Sequence, residues 1–328
     1  MKDRLRAACL WMAACFVALS VAHAQEQAAA PSVRGKTVVE IKPDRIILID
    51  ITRAGDRLVA VGERGFALLS DDAGETWRSR ETPVTRTLTG VSFRDAKVGV
   101  AVGHGGSFIR TEDGGETWTQ VPVPDAGPES LLGVLNIGGD HFAAYGAFGM
   151  YFDSTDAGKT WVRRMVMSED FQWHISQVIA VNGGNTLLMV AESGTLARSD
   201  DAGVTWTAMT SPYVGSYFGA LTTADGTILA FGMRGNVWRT TDLGATWQKI
   251  ELNTTASLNG GRVLSDGRIL LVGNNGLLVV SKDDGQTLEM HWAPGGRGYS
   301  AVAEAGGRII LAGEGGVSVL DPAWLKGQ

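Results

Sequence analysis

One pattern of eighteen residues recurs along the chain and limits what it can fold into. AVGERGFALLSDDAGETW (60–77) is followed by AVGHGGSFIRTEDGGETW (101–118) and AYGAFGMYFDSTDAGKTW (144–161). MVAESGTLARSDDAGVTW (189–206), AFGMRGNVWRTTDLGATW (230–247) and LVGNNGLLVVSKDDGQTL (271–288) come next, and a truncated copy begins at LAGEGGVSVLD (311–321). The interval is 40 to 45 residues, the length of one four-stranded propeller blade. Helical repeats of that length would show a 3.6-residue period and little glycine. These segments show short β-rich runs cut by glycine turns. Glycine accounts for 44 of 328 residues, about twice ordinary usage. It follows no three-residue period, which sets collagen aside.

The second repeat unit reads as a whole blade. LTGVSF (88–93) is the innermost strand, VGVAVG (98–103) the second, SFIRT (107–111) the third and TWTQV (117–121) the outermost. Second and third strands meet in a G-x-x-G turn, repeated as GERG, GHGG, GAFG, AESG, GMRG, GNNG and GEGG. Glycine suits backbone positions with φ > 0. The seventh unit supplies only YSAVAEA (299–305), RIILAG (308–313) and VSVL (317–320). KTVVEIK (36–42) precedes the first innermost strand, RIILIDI (45–51), and has no partner there. We expect it to close the ring as the outer strand of the last blade, since an open edge is a liability. The expected fold is all-β, a seven-bladed β-propeller of four-stranded antiparallel blades forming a single domain over 36–328, with 25–35 as a flexible lead-in.

Residues 1–24 have basic Lys2, Arg4 and Arg6, an apolar stretch from Ala7 to Ala22, and the small-x-small end Ala22-His23-Ala24. This is the pattern of an export signal cleaved after Ala24, and it predicts a periplasmic protein. No segment after it approaches the roughly 20 apolar residues of a spanning helix. Removing this segment, with three basic residues and one acid, takes the net charge from −6 to −8. A mildly acidic chain is a poor nucleic-acid binder. Both cysteines, Cys9 and Cys15, lie in the signal, so the mature chain has no disulfide and no thiol nucleophile.

Between third and fourth strands lies S/T-x-D-x-G-x-T-W. Its aspartates are Asp72, Asp113, Asp156, Asp201, Asp242 and Asp283, and its tryptophans are Trp77, Trp118, Trp161, Trp206 and Trp247, with Leu288 in the sixth copy. An aspartate accepts hydrogen bonds from turn N–H groups, glycine permits the reversal, and tryptophan buries a large apolar area between blades. Catalysis would not need one equivalent site per blade, so these carboxylates read as structural. The box lacks the calcium-ligand run of an EF-hand and its distal glutamate. His104, His141, His174 and His291 fall in different blades without metal-site spacing, so no metal and no cofactor is expected. No nucleophile elbow or phosphate loop is present.

These boxes are BNR or Asp-box repeats, as seen in sialidases and other propeller families. Seven repeats of the form (A/L)-x-G-x-x-G…S/T-x-D-x-G-x-T-W resemble more closely the photosystem II stability/assembly factor family, over about residues 36–320. That resemblance implies a seven-bladed propeller. In photosynthetic organisms the family chaperones assembly of a membrane reaction-centre subunit, and bacterial relatives often accompany membrane exporters. It therefore implies a non-catalytic binding or assembly role toward a protein client, a membrane transporter or envelope complex included. The sequence leaves the oligomeric state open, with a monomer as the expectation.

In a propeller the second-to-third-strand turns and the inter-blade links share the face around the channel mouth. The turns put Glu63, Arg64, His104, Phe148, Glu192, Arg234, Asn274 and Glu314 there, and the links add Arg86, Trp173, His174, Tyr213, Tyr217, Arg297 and Tyr299. Arginine and aromatic side chains are common binding anchors. MVMSEDFQWH (165–174) and HWAPGGRGY (291–299) carry more of them than a turn needs. The alternative is a carbohydrate-binding propeller or a sialidase-like glycoside hydrolase, built on Tyr217 or Tyr299 with Glu63, Glu192, Arg64 and Arg234. Against it stand seven repeats rather than the six blades typical of sialidases, and no early Arg-Ile-Pro segment.

Overall fold

The computed structural model describes residues 42–181 and 184–320. The expected export signal (1–24), the lead-in (25–35) and all but the last residue of the expected closing strand (36–42) lie outside them. In the first blade β1 (Leu48–Ala54), β2 (Arg57–Gly62), β3 (Phe66–Ser70) and β4 (Arg78–Glu81) pair antiparallel in chain order. The two middle strands are almost wholly buried, while β4, Arg-Ser-Arg-Glu, is not. Continuous apolar strands are what a sheet covered on both faces requires. Five further four-stranded blades repeat this order. Their innermost strands are Leu88–Phe93, Leu131–Gly138, Ile175–Val181, Tyr217–Thr222 and Leu258–Val263. The seventh blade comprises Tyr299–Ala305, Arg308–Gly313 and Gly316–Leu320 among the described residues.

The chain is thus a seven-bladed all-β propeller. Its core is divided into seven apolar clusters, each built from two neighbouring blades. One of them joins Ala303, Ile310 and Ala312 of blade seven to Leu48, Ile51 and Leu58 of blade one, so the first and last blades pack as any other pair does. The first innermost strand begins at Leu48 rather than Arg45. Ile46 is buried in the seam with blade seven and belongs to the incoming link. The outer strand expected at 117–121 shortens to Thr119–Gln120, because the box turn extends through Trp118.

Every innermost strand slips register near its start. The breaks fall between Leu48 and Asp50, Leu88 and Gly90, Ile175 and Gln177, Tyr217 and Gly219, Leu258 and Gly260, and Tyr299 and Ala301, with Leu131 and Gly133 equivalent in blade three. Such β-bulges bend a strand and re-aim one side chain. Here several bulged residues reach the next blade. Thr89 Oγ1 donates to Leu131 O (2.8 Å), Asn259 Nδ2 to Tyr299 O (2.9 Å), and Ser300 Oγ to Leu48 O (2.9 Å). Farther along the strands, Asp50, Ser92 and Gln177 accept the backbone N–H of Val91, Asn136 and Ala220.

The boxes are built as their residues demand. In the first, Ser70 Oγ donates to Asp72 Oδ1 (2.8 Å) and accepts Gly74 N–H (2.9 Å), while Asp72 accepts Thr76 N–H (2.9 Å) and the Thr76 hydroxyl (2.5 Å). The same set recurs around Asp113, Asp156, Asp201, Asp242 and Asp283. All six carboxyls lie below the usual aspartate range, Asp72 and Asp242 at about 2; burial pushes upward, most at Asp113, Asp156 and Asp283, and the bonds from the threonine hydroxyl and N–H and the Ser or Thr hydroxyl outweigh it. A depressed folded-state pKa gives stability that is present above the unfolded value and lost as pH falls through the folded one. We therefore expect an unchanged urea midpoint from pH 7 to about 5 and a decline from about pH 4 toward 2. Asp50, which burial shifts upward, acts in the opposite sense. Asp242→Asn should lower the neutral midpoint and flatten the acid limb; an acid limb identical to wild type would show that the boxes do not carry the effect.

Candidate functional site

Each second-to-third-strand turn is bolted to the link that enters the same blade. The first turn residue donates its N–H to the carbonyl just before the innermost strand: Glu63 to Ile47, His104 to Thr87, Ala147 to Ser130, Glu192 to His174, Met233 to Ser216, Asn274 to Ser257 and Glu314 to Gly298. The outgoing links press on the same turns. Gly149 N–H donates to Trp173 O (3.0 Å), and the Thr82 hydroxyl to Gly65 O (2.6 Å). Turns and links therefore share one face, as the sequence predicts.

The turns of the first six blades are of the mirror-image type, with φ > 0 at two successive residues, while in the seventh only Gly316 is positive. The second of the pair is glycine. The first is Gly105 (φ 68°) in blade two and otherwise Arg64 (φ 61°), Phe148 (φ 52°), Ser193 (φ 52°), Arg234 (φ 56°) or Asn275 (φ 58°). A side chain in this region costs roughly 1–2 kcal/mol, so the fold displays two arginines and a phenylalanine where glycine would be easier. Backbone strain of this kind tends to collect at ligand clamps and switches.

The predicted residues separate into three groups. Arg64, Arg86, His104, Phe148, Trp173, Arg234, Asn274, Arg297 and Glu314 are exposed. Three acids serve the backbone: Glu63 accepts Ile47 N–H (3.3 Å), Glu192 accepts His174 N–H (3.1 Å) and pairs with His174 Nδ1 (3.1 Å), and Glu314 accepts Gly298 N–H (2.9 Å). Each carboxylate thereby tethers the start of an innermost strand, and Asn274 Oδ1 likewise holds Asn259.

Two residues must be withdrawn from the surface. Tyr217 and Tyr299 are 0% and 7% exposed, because they begin innermost strands and point into blade seams. The Tyr217 hydroxyl meets Ser211 Oγ at 3.1 Å, and burial pushes its pKa up to about 12. That is the wrong direction for a nucleophile. Tyr213 is half-buried, donating to Met233 O (3.3 Å) and packing edge-on against Tyr217.

The face carries apolar surface, in which Met165 and Val214 join the expected Phe148 and Trp173. Phe148 (52% exposed), Met165 (62%), Trp173 (49%) and Val214 (91%) lie in the turn of blade three and in the links on either side of blade four. The Phe148 ring stands edge-on to His174, centroids 5.0 Å apart. Beside it runs a groove of about 700 Å³ lined by Phe148, Arg163, Arg164, Met165, Glu169, Phe171 and Gln172, with Glu129 at its wall. Arg164 is turned toward Asp153 (3.3 Å). Arg163 has no ion pair among the described residues. The composition of the 165–174 link and Phe148 in the neighbouring turn are what announced this groove in the sequence. A second cavity, about 710 Å³, is the central channel, lined by the innermost strands. Among the described residues no cluster of His, Cys, Asp and Glu is arranged to hold a metal, and no helix is long and apolar enough to cross a membrane.

Seven blades, six boxes and a face of bolted turns define an Asp-box propeller of the assembly-factor type. The family model described as Photosynthesis system II assembly factor YCF48 matches residues 69–260, and the chain belongs to that family. Similar solved structures include YCF48 bound to D1 peptide, with 19% identity and TM-score 0.70, covering 86% of this chain and 95% of that one. YCF48 from Cyanidioschyzon merolae has 17% identity and TM-score 0.69, covering 86% and 97%. The GH74 xyloglucanase from Xanthomonas campestris has 15% identity and TM-score 0.68; this chain covers 52% of that enzyme and the match covers 84% of this chain. At these identities the structures speak for the fold. No curated protein matches the chain significantly.

Proposed function

We propose that this protein is an exported, non-catalytic binding and assembly scaffold that docks a protein client of the envelope through the face of turns and links. The carrying observation is the apolar surface of Phe148, Met165 and Trp173 beside a groove on the strained side of the fold. Large aromatic side chains in a pocket are the usual anchors of protein interfaces. The likeness to a relative bound to a peptide supports a polypeptide occupant. The mature protein works in the periplasm, on the strength of the 1–24 segment.

Phe148→Gly separates binding from folding. Glycine relieves a left-handed residue, so the variant should melt within about 3 °C of wild type. It also removes an anchor, so capture of an envelope client, identified by mass spectrometry with wild-type protein, should fall tenfold or more. Trp173→Ala should behave alike. Undiminished capture by both variants would refute this face. A carbohydrate-acting propeller is the second reading, favoured by the aromatic groove; a bound glycan with no protein client would establish it instead.

A further inference from the structure

The central channel holds a cation without a counter-ion. Arg262 lies on the sixth innermost strand and lines the cavity of about 710 Å³. Its Nε is buried with no hydrogen-bond partner, and the guanidinium makes no ion pair among the described residues. Glu304, the acid that acts on it electrostatically, is spent on Ser265, accepting its N–H (2.7 Å) and its hydroxyl (2.6 Å). Asp50 is the acidic residue of the lining, and it already accepts Ile51 N–H (2.8 Å) and Val91 N–H (2.9 Å). Burial lowers the Arg262 pKa, Glu304 offsets this in part, and the like charge of Arg53 adds to it. A buried guanidinium N–H without an acceptor is costly, and the arginine fork matches carboxylate or phosphate oxygens in two-point geometry.

The rest of the lining suits a small polar guest. Thr52 and Ser176 also line the cavity, and their hydroxyls make no hydrogen bond among the described residues. The volume is that of an ordinary ligand site. We propose that the channel is a binding site for a small organic oxyanion, a carboxylate or a phosphate, held by Arg262 and solvated by the hydroxyls of the bulged inner ring. This site is separate from the docking face, and either can fail without the other.

The test titrates the whole protein with sodium glucuronate and, separately, inorganic phosphate, with sodium chloride matching ionic strength. At about a hundredfold excess over Kd the wild-type melting temperature should rise by about 5 °C. The Arg262 Nε–H resonance, assigned by its absence in Arg262→Gln, should shift saturably. Arg262→Gln loses an unpaired charge, so it should melt at or above the wild-type temperature and give no response to either anion. A response to glucuronate alone assigns a carboxylate ligand, and one to phosphate alone assigns a phosphate ligand. If neither anion moves the wild-type resonance, or if Arg262→Gln is stabilised as much as wild type, the channel site is refuted.

Discussion

Trp118→Ala is expected to destabilise the protein by about 3–5 kcal/mol, the range for emptying a large aromatic from a core. Trp118 is 8% exposed and belongs to the seam between the first two blades. Its ring stands edge-on to Phe93, centroids 6.2 Å apart, and its Nε1 donates to Gly115 O at 3.0 Å. Truncation removes the packing, the aromatic pair and the bond that ties the box shut. The surrounding strands are fixed by their ladders, so the seam cannot collapse to fill the space. Urea unfolding should show a lower midpoint at unchanged slope. Trp77 is less buried in its own seam, and its replacement should cost clearly less. A Trp118→Ala loss below about 1 kcal/mol would mean that the boxes are not the wedges between blades.

The second large effect comes from the smallest residue. Gly62→Val should cost about 4 kcal/mol or more, or abolish soluble expression, because any Cβ there would lie 2.1 Å from Ile47 O. That oxygen belongs to backbone and is held by Glu63 N–H at 2.9 Å, so nothing flexible can yield. The corresponding glycines, Gly103, Gly146, Gly232, Gly273 and Gly313, face the same obstacle. Blade four is the exception, with Ala191 at this place, and its bolt from Glu192 to His174 O is the longest of the seven at 3.2 Å. Ala191→Gly should therefore change stability by no more than about 1 kcal/mol. A well-folded Gly62→Val protein would show that the bolt is dispensable.

The recurring box made the blade count legible, because its spacing is set by local turn chemistry that tertiary context does not override. Strand limits in the second blade followed from glycine and threonine punctuation to within a residue or two. The face was legible as a set of segments, not as side chains. Glu63, Glu192 and Glu314 look like free acids in a linear reading, but the turn folds each back onto its own link. Tyr217 looks like a link residue and Tyr299 like the exposed end of its strand, but both begin innermost strands ahead of a bulge and lie in the seams. Those bulges left no mark in composition or period. They arise where strands converge on an axis, a constraint that exists only once the circle is assembled. Arg262 was invisible for the same reason: its isolation depends on which other blades reach the channel.

The bulge contacts have one more implication. Ser300 hands its hydroxyl to Leu48 as Thr89 does to Leu131, so no blade stands at the end of the row. Linear arrays of repeats fray from their termini and can lose one unit at a time. A circle whose first and last blades are joined has no such starting point, and its repeats are expected to hold or melt together.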